Sequence, residues 1–333
     1  MQLGKIIATV VTAGMALSAC SSTGGAPGSG AGSGGNGAGQ GGLDTEQVTI
    51  ALISHGAPGD TFWDLVRKGA EDAAAQDNVE LRYSSDPQAP NQANLVQSAI
   101  DAGVDGIAVT LPNAEAIGPA AQKAVDAGIP VVGLNAGMTE YQKYGLTGFF
   151  GQDESVAGEA VGTRLGEEGA KHVLCVIHEQ GNSSQEARCA GTAKGAGANT
   201  QVETLYVNGQ DLTQVQSTVP AKLAQDPSID WILGLQAAVA LATVQAAADA
   251  GSAAKVATFD TNAELVTAIE EGKVQFAVDQ QPYVQGYLAV DALWMATRNG
   301  STVGGGQPVL TGPSFVDKTN VAKIASAAAE GLR

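Results

Sequence analysis

Polar side chains of a few types recur at one kind of place in this chain, just after short apolar runs. The run 48–53 leads into His55, Asp60, Phe62 and Trp63, 130–134 into Asn135, and 173–177 into Asn182, Ser184 and Arg188. Gln236 follows 231–235, Asp260 follows 256–259, and Asp279, Gln280 and Gln281 follow 274–278. Ionised Asp60 and Asp260 can each accept paired hydrogen bonds, and the Arg188 guanidinium can donate them from a planar fork. The amides of Asn135, Asn182, Gln236 and Gln280 donate and accept at once, while Phe62 and Trp63 offer flat apolar faces. Two carboxylates across a cleft could also act as acid and nucleophile in glycoside hydrolysis, so one reading of Asp60 and Asp260 is enzymatic.

Most of these residues also have a plainer reading. Asp60 is of a type favoured at helix N-caps and can hold both roles, and Asp260 could cap a helix beginning near Asn262. Phe62 and Trp63 are adjacent at a helix start and point different ways, so one is expected to line a cleft and the other to pack. Asn135 can satisfy a turn backbone, and Arg188 can pair with Glu186 or Glu179 at the surface. Of Gln280 and Gln281 only one is expected to face inward. His55 is expected at a cleft rim and His172 at the surface or a strand edge.

The elements that must position these groups alternate. Apolar runs at 48–53, 79–83, 106–110, 130–134, 173–177, 202–207, 231–235, 256–259 and 274–278 read as buried strands. Helical-period stretches lie between them at 60–76, 91–102, 114–127, 154–168, 185–196, 212–225, 237–250 and 263–271. Asp-Ala-Gly at 101–103, 126–128 and 249–251 closes helices, its Gly supplying the left-handed residue. This alternation predicts an α/β fold of mainly parallel, doubly wound sheets, in which ligands sit beyond the carboxyl ends of strands. The chain from residue 47 onward is long enough to suit two lobes better than one core.

The first residues carry Lys5, an apolar stretch too short to span a bilayer permanently, and Leu17-Ser18-Ala19-Cys20, which resembles a bacterial lipobox. The expectation is a signal peptide over 1–19, acylation at Cys20, and an exported protein anchored to the outer face of the cytoplasmic membrane. Residues 21–42 are almost wholly Gly, Ser, Ala, Asn, Gln, Thr and Pro, a flexible linker. Gly32, Gly34 and Gly37 match a dinucleotide fingerprint by letter, but without flanking strand and helix they carry no cofactor site. A net charge of −17 speaks against nucleic-acid partners. With Cys20 assigned to lipid, Cys175 and Cys189 remain as a pair in an oxidising compartment. A disulfide between them would close a loop of about 15 residues and contribute about 3 kcal/mol. A zinc site from Cys175, His178 and Cys189 is the rival, short of a fourth ligand.

From residue 48 to 316 the chain resembles the type I periplasmic binding proteins of the ribose and galactose class, the solute receptors of sugar ABC importers. Asp60-Thr61-Phe62-Trp63, Leu134-Asn135, Gln185-Glu186-Ala187-Arg188, Phe259-Asp260 and Gln280-Gln281-Pro282 carry the likeness. The resemblance implies two doubly wound, mainly parallel βα lobes joined by a three-segment hinge. It divides the chain into an N-terminal lobe of 47–150 plus 281–308 and a C-terminal lobe of 151–280 plus 309–333, crossing near 151–153, 279–282 and 306–311.

It also implies a ligand set of Asp60, Phe62, Trp63, Asn135, Asn182, Ser184, Arg188, Gln236, Asp260 and Gln280 around one sugar or polyol, which closes the lobes on binding. Ala136 stands where some relatives carry a second arginine, and the residues near Gln210 are polar where relatives often place an aromatic. A monosaccharide or sugar alcohol follows, with a polyol favoured over a large pyranose. The implied partners are an integral permease and its cytoplasmic ATPase. The chain has no Gly-Lys-Ser phosphate loop of its own, and the implied receptor is a monomer without cofactor or catalytic activity. A co-receptor role for a sensor kinase or chemoreceptor shares the same implied site.

Overall fold

The computed structural model of the chain describes residues 45–333. Cys20, the signal segment and the linker up to residue 44 lie outside the described residues. The first lobe runs β1 (Val48–Ser54), α1 (Thr61–Asp77), β2 (Val79–Ser85), α2 (Ala89–Asp101), β3 (Gly106–Val109), α3 (Ala114–Asp126), β4 (Val131–Leu134) and β5 (Phe149–Gly151). The second runs α4 (Glu154–Glu167), β6 (His172–Ile177), α5 (Ser183–Ala196), β7 (Gln201–Tyr206), α6 (Leu212–Gln225), β8 (Trp231–Gly234), α7 (Ala237–Asp249), β9 (Lys255–Phe259), α8 (Ala263–Glu270) and β10 (Phe276–Asp279). The chain then returns α9 (Pro282–Asn299) and β11 (Pro308–Leu310) to the first lobe and ends in the second with β12 (Ser314–Asp317) and α10 (Ala325–Ala329).

The two sheets repeat one topology. Their orders are β11-β5-β4-β3-β1-β2 and β12-β10-β9-β8-β6-β7, and every pairing is parallel except β10 with β12. In both, the chain reverses direction across the sheet beside the first strand, the switch point at which a crevice opens beyond the strand ends. Both faces of each sheet are covered, which is why the strands read as continuous apolar runs. In the first lobe α1 and α9 pack on one face, and α2 and α3 supply the core on the other. In the second, α4 and α5 cover one face and α6, α7 and α8 the other.

The alternation predicts each of the long elements except α9. That helix has no clean amphipathic stripe, because one side packs on the sheet and another lies directly against α1. The contact depends on glycine: a Cβ at Gly69 would overlap the Tyr283 carbonyl, and one at Gly286 the Val66 carbonyl. The strands β5, β11 and β12 were too short to show a period. β11 pairs with β5 in the first sheet, so residues 309 and 310 belong to the first lobe and not, as the expected division had it, to the second. The third crossing accordingly lies after Leu310, and at Gly312 the three crossings touch: a Cβ there would come within 2.8 Å of Gln152 Oε1 and 3.0 Å of the Asp279 carbonyl oxygen.

Candidate functional site

The carboxyl ends of both sheets face each other across a cleft, and all ten residues of the expected ligand set line it. Equivalent positions in the two lobes supply them. Asp60 is the N-cap of α1 and Asn182 the N-cap of α5, each accepting through Oδ1 from the backbone N–H two residues on, both at 3.0 Å. Asn135 after β4 and Asp260 after β9 both adopt the left-handed conformation, with φ of 61° and 66°. Asn and Asp tolerate that region best among residues with a side chain.

The other functions of these groups face across the lobes. Asp60 Oδ2 accepts from Gln236 Nε2 at 2.7 Å, a bond from the end of β8 to the start of α1. Asp60 is thus both cap and cleft residue, whereas the cap of α8 is Asn262 and not Asp260. Gln280 lies on the second crossing, donates to Asp260 Oδ1 at 2.7 Å and accepts from Asn135 Nδ2 at 3.2 Å. Gln281 turns the other way, donating to the Thr311 carbonyl at 2.6 Å on the third crossing. Gln280 therefore ties the floor of the cleft to the hinge.

Arg188 does not pair with Glu186 or Glu179. Its Nε and Nη2 donate to the two carboxylate oxygens of Glu154 at 2.6 and 2.8 Å, and Nη1 donates to the Leu235 carbonyl at 3.1 Å. Both partners are buried, and the guanidinium lies over the Phe259 ring, 4.5 Å from its centroid. Three of the five guanidinium N–H groups are thereby used, and Arg188 also lines the cleft. The fork is set by a tight helix contact, since Cβ atoms at Gly158 or Gly162 of α4 would overlap the Arg188 or Thr192 carbonyls of α5. Cys175 and Cys189 form a disulfide, Cα–Cα 5.9 Å, between β6 and the turn of α5 that carries Arg188. That joins two of the three ligands of the zinc alternative to each other.

Phe62 and Trp63 both line the cleft and both belong to the core beneath it, contrary to the expected division of labour. Their rings meet edge to face at 5.1 Å, and His55 packs against Trp63 at 4.7 Å. His55 is buried rather than at a rim, bonded through Nδ1 to the Thr110 hydroxyl at 2.7 Å, with Nε2 3.7 Å from Glu179 of the opposite lobe. His178, Glu179, Gln185 and Leu235 complete the lining. Gln185 accepts from the backbone N–H groups of His178 and Glu179 at 3.0 and 3.2 Å, which fixes the loop after β6.

Burial governs the titration of this cleft. Desolvation raises Asp60 to about 6, and raises Asp260 to about 7 against the opposing pull of Arg188. It lowers His55 and takes His178 down to about 4, so both imidazoles are neutral at pH 7. His172, expected at the surface or a strand edge, is the first residue of β6 and is buried at the opposite end of the second sheet between Glu203 Oε2 at 3.4 Å and Asp226 Oδ2 at 3.6 Å. Among the described residues these three alone come close enough to share a metal ion, yet the carboxylates face different ring nitrogens and Lys222 already pairs with Glu203.

Residues 50–301 match the family described as periplasmic binding protein domain. The chain belongs to this family. A solved carbohydrate transporter of Acidothermus cellulolyticus, in complex with myo-inositol, is 53% identical, with a TM-score of 0.85 over 86% of this chain and 100% of that one. The ribose import binding protein of Bacillus subtilis is 25% identical over 236 residues, covering 69% of this chain and 76% of that protein. The xylose/arabinose-binding protein of Sulfolobus acidocaldarius is 22% identical over 263 residues, 73% of this chain but only 64% of its own length. Among the described residues no helix is long and apolar enough to cross a membrane.

Proposed function

We propose that this chain is the solute receptor of an ABC importer for a small polyol, with a cyclic polyol of the inositol type as its ligand. The observation that carries the reading is the cleft itself: carboxylates, amides and a half-used guanidinium from both lobes converge on one cavity, as adjacent hydroxyls that both donate and accept require. Myo-inositol in the relative of 53% identity favours a cyclic polyol within that class. In this reading Asp60, Asp260 and the free N–H groups of Arg188 take paired hydroxyls. Asn135, Asn182, Ser184, Gln236 and Gln280 complete the ring of partners, and Phe62 and Trp63 cover its apolar face. Binding between the lobes shifts an open–closed equilibrium, and an integral permease with its cytoplasmic ATPase reads the closed form. The receptor works as a monomer outside the cytoplasm, held to the membrane by acyl chains on Cys20.

Calorimetric titration with inositols, alditols, pentoses and hexoses tests this. One cyclitol is expected to bind with one-to-one stoichiometry and without turnover, and Asp260→Ala is expected to abolish the heat. Absence of binding by every polyol and sugar would overturn the ligand class, and release of product from a glycoside would favour the glycosidase. Retention of Cys20→Ser in the membrane fraction would overturn the anchor.

A further inference from the structure

The charge around the cleft is one-sided. Asp60, Glu179 and Asp260 line it, and the one cation in its wall, Arg188, is already held by both oxygens of Glu154. The two wider grooves that lead into the cleft continue the pattern. Glu179 lines both, Asp60 and Glu264 line one, and among the described residues neither groove is lined by a lysine or arginine. Buried neutral His55 and His178 add no compensating charge. A ligand therefore approaches through acidic walls into a cleft with more carboxylates than cations, where charge interactions are less screened than at an open surface.

Resting on the polyol reading above, we propose that the site takes a monocationic amino-substituted polyol, an aminocyclitol or amino sugar with its ammonium at the Asp60–Glu179 end, and excludes anionic polyols. An ammonium in place of one hydroxyl keeps donation to the carboxylates, with three N–H groups for one O–H, and supplies the positive charge that Arg188 has spent on Glu154. A phosphate or carboxylate on the ring would instead meet Asp60, Glu179 and Asp260, and the one cation in the wall, Arg188, already has its charge offset by Glu154.

The test is calorimetry on the full-length protein at pH 7.5 with three probes: myo-inositol, 1-amino-1-deoxy-scyllo-inositol and myo-inositol 1-phosphate. The amino compound is expected to bind about tenfold tighter than the neutral ring, the advantage falling with added salt, and the phosphate at least about 100-fold weaker. In Glu179→Gln the amino advantage is expected to vanish while the neutral ring still binds, and in Asp60→Asn, which keeps the capping oxygen, both affinities are expected to fall, that of the amino compound further. If myo-inositol binds and the amino compound binds more weakly, or the phosphate binds as well as the parent, this inference fails and the receptor reading stands. Binding of the amino compound alone supports the inference and revises the ligand above. If none of the three nor any sugar binds, both readings fail.

Discussion

The two lobes are built to one plan but furnish the cleft differently. The first presents rings, Phe62, Trp63 and His55, packed edge to face on a sheet whose nearest helix pair, α1 and α9, carries no ion pair into the cleft. The second presents charge: Arg188 locked on Glu154 across the equivalent pair, α4 and α5, with Asp260 beside it and a disulfide bracing the turn behind. In both lobes glycines let the paired helices touch backbone to backbone. What differs is how firmly each half is set before a ligand arrives. The second half is held by covalent and ionic bonds, whereas the first sets Asp60 and Asn135 among packed rings without such a brace.

The strongest way to break that contrast is Glu154→Ala. It leaves a buried guanidinium with a single carbonyl partner, so chemical denaturation is expected to show a loss of about 3–5 kcal/mol. A loss under 1 kcal/mol would mean that water reaches Arg188 and the second lobe is not preset. Next comes the disulfide: the Cys175→Ser, Cys189→Ser double variant is expected to lose about 2–4 kcal/mol and to bind ligand more weakly, because the turn bearing Arg188 loosens. Smaller effects separate the helix seams. Gly162→Ala in α4 and Gly286→Ala in α9 should each cost about 1–3 kcal/mol, but the first should weaken ligand binding more, since only that seam sets an ion pair, Arg188–Glu154, in the cleft wall. Equal losses of affinity would erase the distinction.

A further effect is in pH. Asp260 and Asp60 keep protons in the folded protein to about 7 and about 6, where an unfolded chain has already lost them. Their contribution to stability is thus present at low pH and is lost as pH rises through those values. Thermal scans of the unliganded protein should show the advantage of Asp260→Asn over the parent growing from pH 5 to pH 8, with Asp60→Asn showing the same trend shifted down by about one pH unit. A parent whose stability relative to Asp260→Asn improves with pH would contradict the assignment of burial as the cause.

Much of this was legible because of where α/β sheets put their ligands. Reading only the residues after apolar runs brings Asp60, Asn135, Arg188 and Asp260 to one cleft without knowledge of how the lobes dock. The partner of Arg188 was not legible. Glu154 also follows a strand, but β5 is three residues long and gives no period, so Glu154 reads as an ordinary first-turn helix acid. For the same reason residues 309 and 310 of β11 were placed in the other lobe, while α9, apolar on two sides, showed no stripe. His172 misled because burial between two carboxylates depends on Glu203 and Asp226, which the sequence places far away. The double duty of Asp60 was visible as two competing roles, and only coordinates show one oxygen on the Phe62 N–H and the other on Gln236.

A crystal structure of the protein grown with myo-inositol tests the central claim most directly. The account predicts one cyclitol enclosed between the lobes, with hydroxyls on Asp60, Asn135, Asp260 and the two free N–H groups of Arg188, and with the Arg188–Glu154 fork unchanged. A cyclitol bound outside the cleft, or an Arg188 that leaves Glu154 to reach it, would contradict the account.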